Sequence, residues 1–93
     1  MKIEYDEKKR TETLKERGLD FQDALIVFSS GRTIAWTDNR QDYGEERIIT
    51  MGELAGRHVV IIHTVRDHAL RIISMRKANE REIGFFEKQF EES

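Results

Sequence analysis

The chain has 93 residues, of which 37% are charged and 38% hydrophobic, and it contains neither cysteine nor proline. A chain of this length buries about 60–65% of its unfolded surface, which supports one core and excludes a large enclosed cofactor cavity. The absence of cysteine excludes disulfides, thiolate nucleophiles and cysteine-ligated metal centres. The net charge of -2 at pH 7, taken alone, argues against a nucleic-acid ligand.

No segment of the sequence resembles a membrane span or a signal peptide. Apolar runs such as residues 59–62 are far shorter than the ~20 residues that a span needs. The first residues are interrupted by charges at Lys2, Glu4 and Asp6, which a signal-peptide core does not tolerate. The sequence also contains no repeat and no Gly/Ser-rich linker. We therefore expect a single cytoplasmic domain over residues 1–93.

Two helices are predicted in the first third of the chain. Asp6 can cap a helix over residues 7–17, and Gly18 is placed to end it in the left-handed conformation. Because Leu14 is its only large apolar residue, we expect this helix to be mostly solvated. Asp20 is the predicted cap of a second helix. Its apolar residues recur at the spacing of a buried helical stripe: Phe21, Ala24, Leu25 and Phe28.

The middle of the chain predicts strands and the end predicts a helix. Four strands are expected, at residues 33–38, 47–53, 57–65 and 70–77, and residues 3–5 are a further short candidate. Asn79 and Glu82 match a capping box that opens a last helix, whose inner face carries Ile83, Phe86 and Phe90. The order predicts an α+β fold with two N-terminal helices, a four-stranded antiparallel sheet and a C-terminal helix.

Positive charge is concentrated between residues 57 and 77. This segment has five basic residues and one acidic residue, a charge of +4, and the chain's total of -2 leaves -6 for the remainder. A positive hairpin on an acidic domain suits phosphate groups. Basic side chains also border many exposed sheet edges and discourage edge pairing, so charge alone leaves both interpretations open.

All three histidines, His58, His63 and His68, lie in the same segment. Their spacing of five places consecutive histidines on opposite faces of a strand, so we expect no metal site and no other cofactor. His63 is a candidate general base, with a hydrogen-bonded, half-buried imidazole as the alternative. We expect His58 and His68 to be solvated near strand ends.

The aromatic residues discriminate weakly between RNA binding and packing. Trp36 and most of the phenylalanines have core-like spacings, and we assign them to packing. Tyr43, beside Gly44 in a polar loop, is the aromatic residue expected to be partly exposed. It can stack on a base, contact a partner protein or cover the sheet edge.

Several motifs spread along the chain resemble one known family. They include Asp-Glu-Lys-Lys at residues 6–9, Arg-Gly-Leu-Asp-Phe at 17–21 and Asp-Tyr-Gly-Glu-Glu-Arg at 42–47. Thr-Val-Arg follows at 64–66, and Arg-Ile-Ile-Ser-Met-Arg-Lys-Ala at 71–78 is followed by Glu82. In this order the segments resemble the BrnT-type toxins, small ribonucleases of bacterial type II toxin-antitoxin modules.

The resemblance implies a RelE-like fold and RNA cleavage without a metal. It also implies neutralisation by a BrnA-like ribbon-helix-helix antitoxin, and repression of the promoter DNA by the toxin-antitoxin complex. The chain departs from the family where Thr13 and Glu16-Arg17 replace the usual asparagine and lysine-histidine. Phe85 and Phe86 replace a tyrosine that related toxins often carry in the last helix, which removes a phenol as acid or base.

Metal-free RNA cleavage needs a base for the 2′-hydroxyl, cations for the dianionic phosphorane and an acid for the leaving oxygen. Arginine suits this charge because its planar fork donates paired hydrogen bonds to phosphate. The candidate catalytic residues are Arg66, Arg76 and Lys77. The candidate RNA-binding residues are Arg40, Arg47, Arg57, Arg71 and Tyr43. His63 and Glu82 are candidate bases, although helix capping is the simpler role for Glu82.

Strand pairing constrains how these cations can act together. If Arg66 pairs with Leu70, then Val60 faces Arg76, and the two arginines share a sheet face at roughly 20 Å from one another. One phosphate cannot contact both. By resemblance to the wider RelE-like group, we expect Arg76 and Lys77 to stabilise the transition state and Arg66 to position the substrate.

The sequence thus favours an endoribonuclease toxin that inhibits translation and is neutralised by an antitoxin. One helical layer leaves part of the sheet uncovered, and binding of the antitoxin would cover it. Promoter DNA would be bound only through the antitoxin complex. The alternative is a catalytically inactive homologue that binds the antitoxin and tunes promoter repression.

Overall fold

The computed structural model describes residues 2–91 as a five-stranded sheet with helices on both faces. The chain begins with strand β1 (Lys2–Tyr5), helix α1 (Glu7–Arg17), a 3₁₀ turn (Phe21–Asp23) and helix α2 (Ala24–Phe28). It continues with strands β2 (Ile34–Thr37), β3 (Ile48–Leu54), β4 (Arg57–Arg66) and β5 (Ala69–Lys77), and then helix α3 (Glu80–Gln89). Within residues 2–91, no helix is both long enough and apolar enough to cross a membrane.

The predicted helix ends are confirmed. The Asp6 carboxylate accepts hydrogen bonds from the backbone N–H groups of Lys8 and Lys9, and Gly18 ends α1 with φ 70°. The second predicted helix begins at its expected cap, Asp20, but its first turn is a 3₁₀ turn and only residues 24–28 are α-helical. Asn79 and Glu82 form the predicted capping box of α3.

The sheet has the strand order β1-β5-β4-β3-β2. Strands β2 to β5 form the predicted antiparallel meander. The prediction of a four-stranded antiparallel sheet is nevertheless wrong in detail, because β1 adds a fifth strand that runs parallel to β5. A four-residue strand is too short to reveal its partner, and this partner lies more than 60 residues away in the sequence, at residues 69–72.

The β4–β5 hairpin closes more tightly than predicted. Arg66 pairs with Ala69 and not with Leu70, because residues 67–68 form a two-residue turn in which both have positive φ. A register shift beyond Ile62 then inserts Ile73 as an extra residue in β5. The shift restores the predicted pairing of Val60 with Arg76.

Helices pack on both faces of the sheet, so the expectation of a single helical layer is wrong. One face, here called the N-terminal face, packs against the 3₁₀ turn and α2. The buried residues of this cluster are Leu19, Phe21, Ala24, Val27, Val59, Ile61, Ile72 and Met75. On the other face, here called the α3 face, Phe86 packs against Met51 and Val60. Trp36 also lies towards the α3 face but is 40% exposed, so its predicted packing role is wrong in part.

Candidate RNA-binding site

Five of the candidate arginines lie on the α3 face or at its border: Arg40, Arg47, Arg66, Arg71 and Arg76. Antiparallel partners share a sheet face. Arg76 is paired with Val60 of β4, which packs against α3. Arg71 is paired with Thr64, which follows Val60 by four residues in β4 and so lies on the same face. Arg66 lies two residues beyond Thr64, on the same face. Arginine side chains from β5, from β4 and from the loop between β2 and β3 thus lie on one side of the sheet.

Arg76 is held by Glu82 at the start of α3. Its two terminal nitrogens donate hydrogen bonds of 2.7 and 2.8 Å to the two carboxylate oxygens. This contact raises the pKa of Arg76, whereas partial burial and the neighbouring charge of Arg40 oppose the rise. The same contact lowers the pKa of Glu82 to about 2. Glu82 also accepts the Asn79 N–H at 2.9 Å, so helix capping and arginine positioning share one carboxylate.

Asp38, just beyond β2, anchors the loop that carries Arg40 and Tyr43. Its side chain is buried and accepts hydrogen bonds from Arg40 at 2.8 and 2.7 Å and from the Tyr43 hydroxyl at 3.1 Å. The Arg40 guanidinium holds the pKa of Asp38 well below its usual range. No role was predicted for Asp38, although an acid two residues before an arginine at a strand end is a sequence signal for such an ion pair.

Tyr43 is less available for base stacking than the sequence indicates. The guanidinium of Arg47 lies 4.1 Å from the centre of its ring, which is a cation–π contact. Arg47 also lies 3.4 Å from Glu45. The ring and the carboxylate therefore fix the position of Arg47.

Arg66 and Arg71 lie towards the loop end of the hairpin. Glu45 accepts hydrogen bonds from Arg66 at 3.0 and 2.7 Å, which holds the pKa of Glu45 below its ordinary value. Glu4 of β1 lies 3.8 Å from Arg71. A cavity of about 210 Å³ in this region is lined by Asp6, Lys9, Arg47, Arg66, Arg71, Ile72 and Ile73. Four cations and one acid at a single cavity favour an anionic ligand.

Three predicted site residues lie on the N-terminal face instead. Lys77, which we expected beside Arg76, is paired with Val59 and so points to the opposite side of the sheet. Arg57 is paired with Leu54, which packs against the N-terminal core. Alternation along a strand separates each of these residues from the arginine cluster.

His63 is the third of these residues. It is buried, its ring lies 5.1 Å from that of Phe28, and burial lowers its pKa. No group within residues 2–91 hydrogen-bonds its Nδ1 atom. Of the two candidate bases, only Glu82 therefore shares a face with the arginines.

A family model described as the ribonuclease toxin BrnT of type II toxin-antitoxin systems matches residues 5–82. The chain belongs to the BrnT family. Membership implies an RNA target and an antitoxin partner. The matched region includes every candidate arginine and Glu82. No curated protein matches the chain.

One further cluster in this BrnT chain has metal-ligand residue types. Ligand atoms of Glu53, His58 and Glu87 lie within 4.8 Å of one another. Arg32 already contacts both carboxylates, at 2.9 and 3.4 Å. His58 contacts Glu87 at 2.6 Å and its side chain is only 16% exposed, so its predicted solvation is wrong. The carboxylates of this cluster thus already have a cationic partner in Arg32.

Proposed function

We propose that this BrnT chain is a single-domain, metal-independent endoribonuclease that cleaves cytoplasmic RNA and thereby inhibits translation. The observation that carries the proposal is the set of five arginines on the α3 face or at its border. Four of them are hydrogen-bonded to Asp38, Glu45 or Glu82, and Arg71 lies 3.8 Å from Glu4. Oriented arginines stabilise developing phosphate charge without reorganising during the reaction.

Arg76 is the proposed catalytic residue. The 2′-hydroxyl loses its proton to solvent water as its oxygen attacks the adjacent phosphorus, and the 5′-oxygen leaves with a proton taken from water, so the transition state is a dianionic phosphorane. Glu82 accepts one hydrogen from each terminal nitrogen of Arg76, and the Lys77 carbonyl accepts the second Nη1 hydrogen at 3.2 Å. Within residues 2–91, the Nε–H and one Nη2 hydrogen are left for the phosphate oxygens. Arg40 adds a second positive charge close to Arg76.

The cavity at Arg66 and Arg71 is the proposed site for a second phosphate, several nucleotides along the same RNA strand. It lies on the same face as Arg76 but towards the other end of the hairpin, roughly 20 Å away along the strands. Two sites at this separation hold one RNA strand at two phosphates. Binding at both fixes the strand's direction across the sheet and positions the reacting phosphate.

Solvent water carries both proton transfers in this proposal. Glu82 has a pKa of about 2, which makes it a weak base near neutral pH. His63 lies on the opposite face of the sheet. We therefore assign Glu82 to the positioning of Arg76. The rate enhancement of RNA cleavage is assigned to stabilisation of the phosphorane charge and to orientation of the RNA.

The antitoxin in this proposal is a BrnA-like ribbon-helix-helix protein, and promoter DNA is bound only through the toxin-antitoxin complex. An antitoxin that covers the α3 face would block the arginines. The element order of two N-terminal helices, an antiparallel meander and a final helix supports a RelE-like relationship.

A second candidate is a homologue without catalytic activity that retains antitoxin binding. Two observations favour it. The arginines of the α3 face all lie next to acids, and Glu82, the candidate base on that face, has a low pKa. Such a protein would tune promoter repression and leave RNA intact.

Incubation of the purified chain with 5′-labelled RNA in excess EDTA tests the proposal. We expect cleavage with 2′,3′-cyclic phosphate ends, arrest of cleavage by the antitoxin, and growth arrest when the chain is expressed alone. An absence of cleavage at every ionic strength, together with intact antitoxin binding, would support the second candidate.

A further inference from the structure

An apolar groove runs between the edge strand β2 and helix α3. Its volume is about 560 Å³, and its lining residues are Ile34, Ala35, Trp36, Met51, Arg81, Glu82 and Phe85. Two large aromatic side chains are exposed along it, with Trp36 40% and Phe85 52% accessible. Large apolar side chains cost free energy in water, so two on the same groove mark a binding surface.

The groove adjoins the proposed catalytic arginine. Glu82 is one of its lining residues and is also the carboxylate that holds Arg76 at 2.7 Å. Arg81 lies on the groove itself, and the charge of Arg40 acts on Arg76. A ligand in the groove would therefore have its apolar part against the aromatics and its anionic part against arginines.

We propose that this groove binds an unpaired nucleobase of the RNA strand, stacked on Trp36 and Phe85, beside the phosphate that lies on Arg76. The inference rests on the proposed ribonuclease function and extends it to base recognition. RNA combines an aromatic base with an anionic backbone in each nucleotide, which matches both halves of this surface. The base belongs to a nucleotide next to the reacting phosphate, because Glu82 separates the groove from Arg76 by a single side chain.

The chemistry of the groove also determines what kind of selectivity it provides. Stacking depends on ring area, whereas discrimination between bases of one size requires polar groups at their edges. The polar side chains on the groove are Arg81 and Glu82, and Glu82 is engaged with Arg76. We therefore expect a preference for purines over pyrimidines, with little distinction between adenine and guanine.

Trp36 supplies a direct probe, because it is the only tryptophan of the chain. A 2′-O-methyl oligonucleotide cannot be cleaved by 2′-hydroxyl attack and can be titrated at equilibrium. Its abasic counterpart has the same charge and no bases. We expect the oligonucleotide to quench Trp36 fluorescence and to bind more tightly than the abasic strand, whereas the abasic strand leaves the fluorescence almost unchanged.

Two substitutions, one on each side of the groove, test whether the aromatic rings bind the base. Trp36→Leu keeps an apolar side chain without a ring, and Phe85→Ala removes an exposed ring from α3. We expect each to weaken oligonucleotide binding by about 5- to 100-fold, the range for loss of one stacked base, and to leave abasic binding unchanged. Phe85→Tyr should restore binding. Ile26→Ala, at a 58% exposed residue of α2, is the matched control and should change neither affinity. Circular dichroism melts confirm that the variants fold.

Other outcomes overturn the inference in distinguishable ways. Equal binding of the two strands by the unmodified chain, with RNA cleavage intact, would reject base stacking and leave the ribonuclease function standing. Unchanged affinity of Trp36→Leu and Phe85→Ala for the oligonucleotide would likewise reject base stacking and leave the ribonuclease function standing. A blue shift of Trp36 with an apolar, acidic peptide, and no response to the oligonucleotide, would assign the groove to a protein. An absence of both RNA binding and cleavage would reject the inference and the proposed function together.

Discussion

The guanidinium of Arg76 and the carboxylate of Glu82 form a bidentate ion pair with N–O distances of 2.7 and 2.8 Å. Glu82 is the third residue of α3 after its cap, so the start of this helix is tied to the end of β5. The stability of the helix and the orientation of the arginine therefore depend on one carboxylate. The ordinary sequence signal of a capping box hides this second role.

The first prediction concerns stability in acid. The pKa of Glu82 is 4.5 in the unfolded chain and about 2 in the fold. Its contribution to the free energy of unfolding is therefore complete above pH 4.5 and is lost as the pH falls towards 2. Glu82→Gln should reduce stability by about 1 kcal/mol at pH 7, since it weakens an ion pair and a helix cap. The difference from the unmodified chain should shrink below pH 4, as measured by urea unfolding. A difference that grows in acid would contradict this assignment.

The second prediction separates the positioning of Arg40 from its charge. Asp38→Asn removes a negative charge and, on electrostatics alone, should tighten RNA binding. We expect several-fold weaker binding and a lower melting temperature, because the amide keeps only one of the two buried acceptor oxygens that Arg40 and Tyr43 use. Asp42→Asn, which alters an exposed acid that accepts the Gly44 N–H, is the control. Tighter RNA binding by Asp38→Asn would show that net charge outweighs orientation.

The third prediction concerns the close approach of α2 to the sheet. A Cβ atom at Gly52 would lie 2.6 Å from Cγ1 of Val27, whose side chain is fully buried. Gly52→Ala should therefore cost about 1–3 kcal/mol in urea unfolding. Gly84 in α3 has open space around it, and Gly84→Ala should stabilise the chain by about 0.5–1 kcal/mol. Equal effects of the two substitutions would contradict this packing.

The fourth prediction concerns phosphate contacts at the loop end of the hairpin. Each phosphate contact adds about -0.7 to the slope of log affinity against log salt for single-stranded RNA. The Arg66→Ala, Arg71→Ala double variant should reduce the slope by about 1.4 if each arginine holds one phosphate. Lys77→Ala, on the opposite face, should leave it unchanged. Equal slopes for the unmodified chain and the double variant would remove this cavity from the RNA path.

Local signals predicted most of the fold. The caps at Asp6 and Asn79 and the glycine at Gly18 each depend on residues close in sequence, and all were confirmed. The partner of β1 depends on a contact between residues 2–5 and residues 69–72, and no periodicity encodes it. The extra residue in β5 was equally invisible, because one added residue leaves the apolar pattern on either side intact.

The candidate site was predicted in its residue types and less well in its grouping. Alternation placed Arg66 and Arg76 on one face, as expected, but it also separates Lys77 from its neighbour Arg76. The burial of Asp38 and the exposure of Trp36 depend on how the loop after β2 and helix α3 cover the sheet. How loops and helices cover the sheet depends on tertiary packing, whereas a sequence pattern indicates only which residues share a face of a strand.

Comparison of Arg76→Ala with Arg57→Ala in an RNA cleavage assay tests the central claim most directly. Both substitutions remove one arginine from a strand of the same hairpin, but Arg57 lies on the N-terminal face. We expect Arg76→Ala to lower the single-turnover rate by about 100- to 1,000-fold, and Arg57→Ala to stay within about 2-fold of the unmodified chain. An unchanged rate in Arg76→Ala, or equal losses in both variants, would contradict a catalytic site on the α3 face.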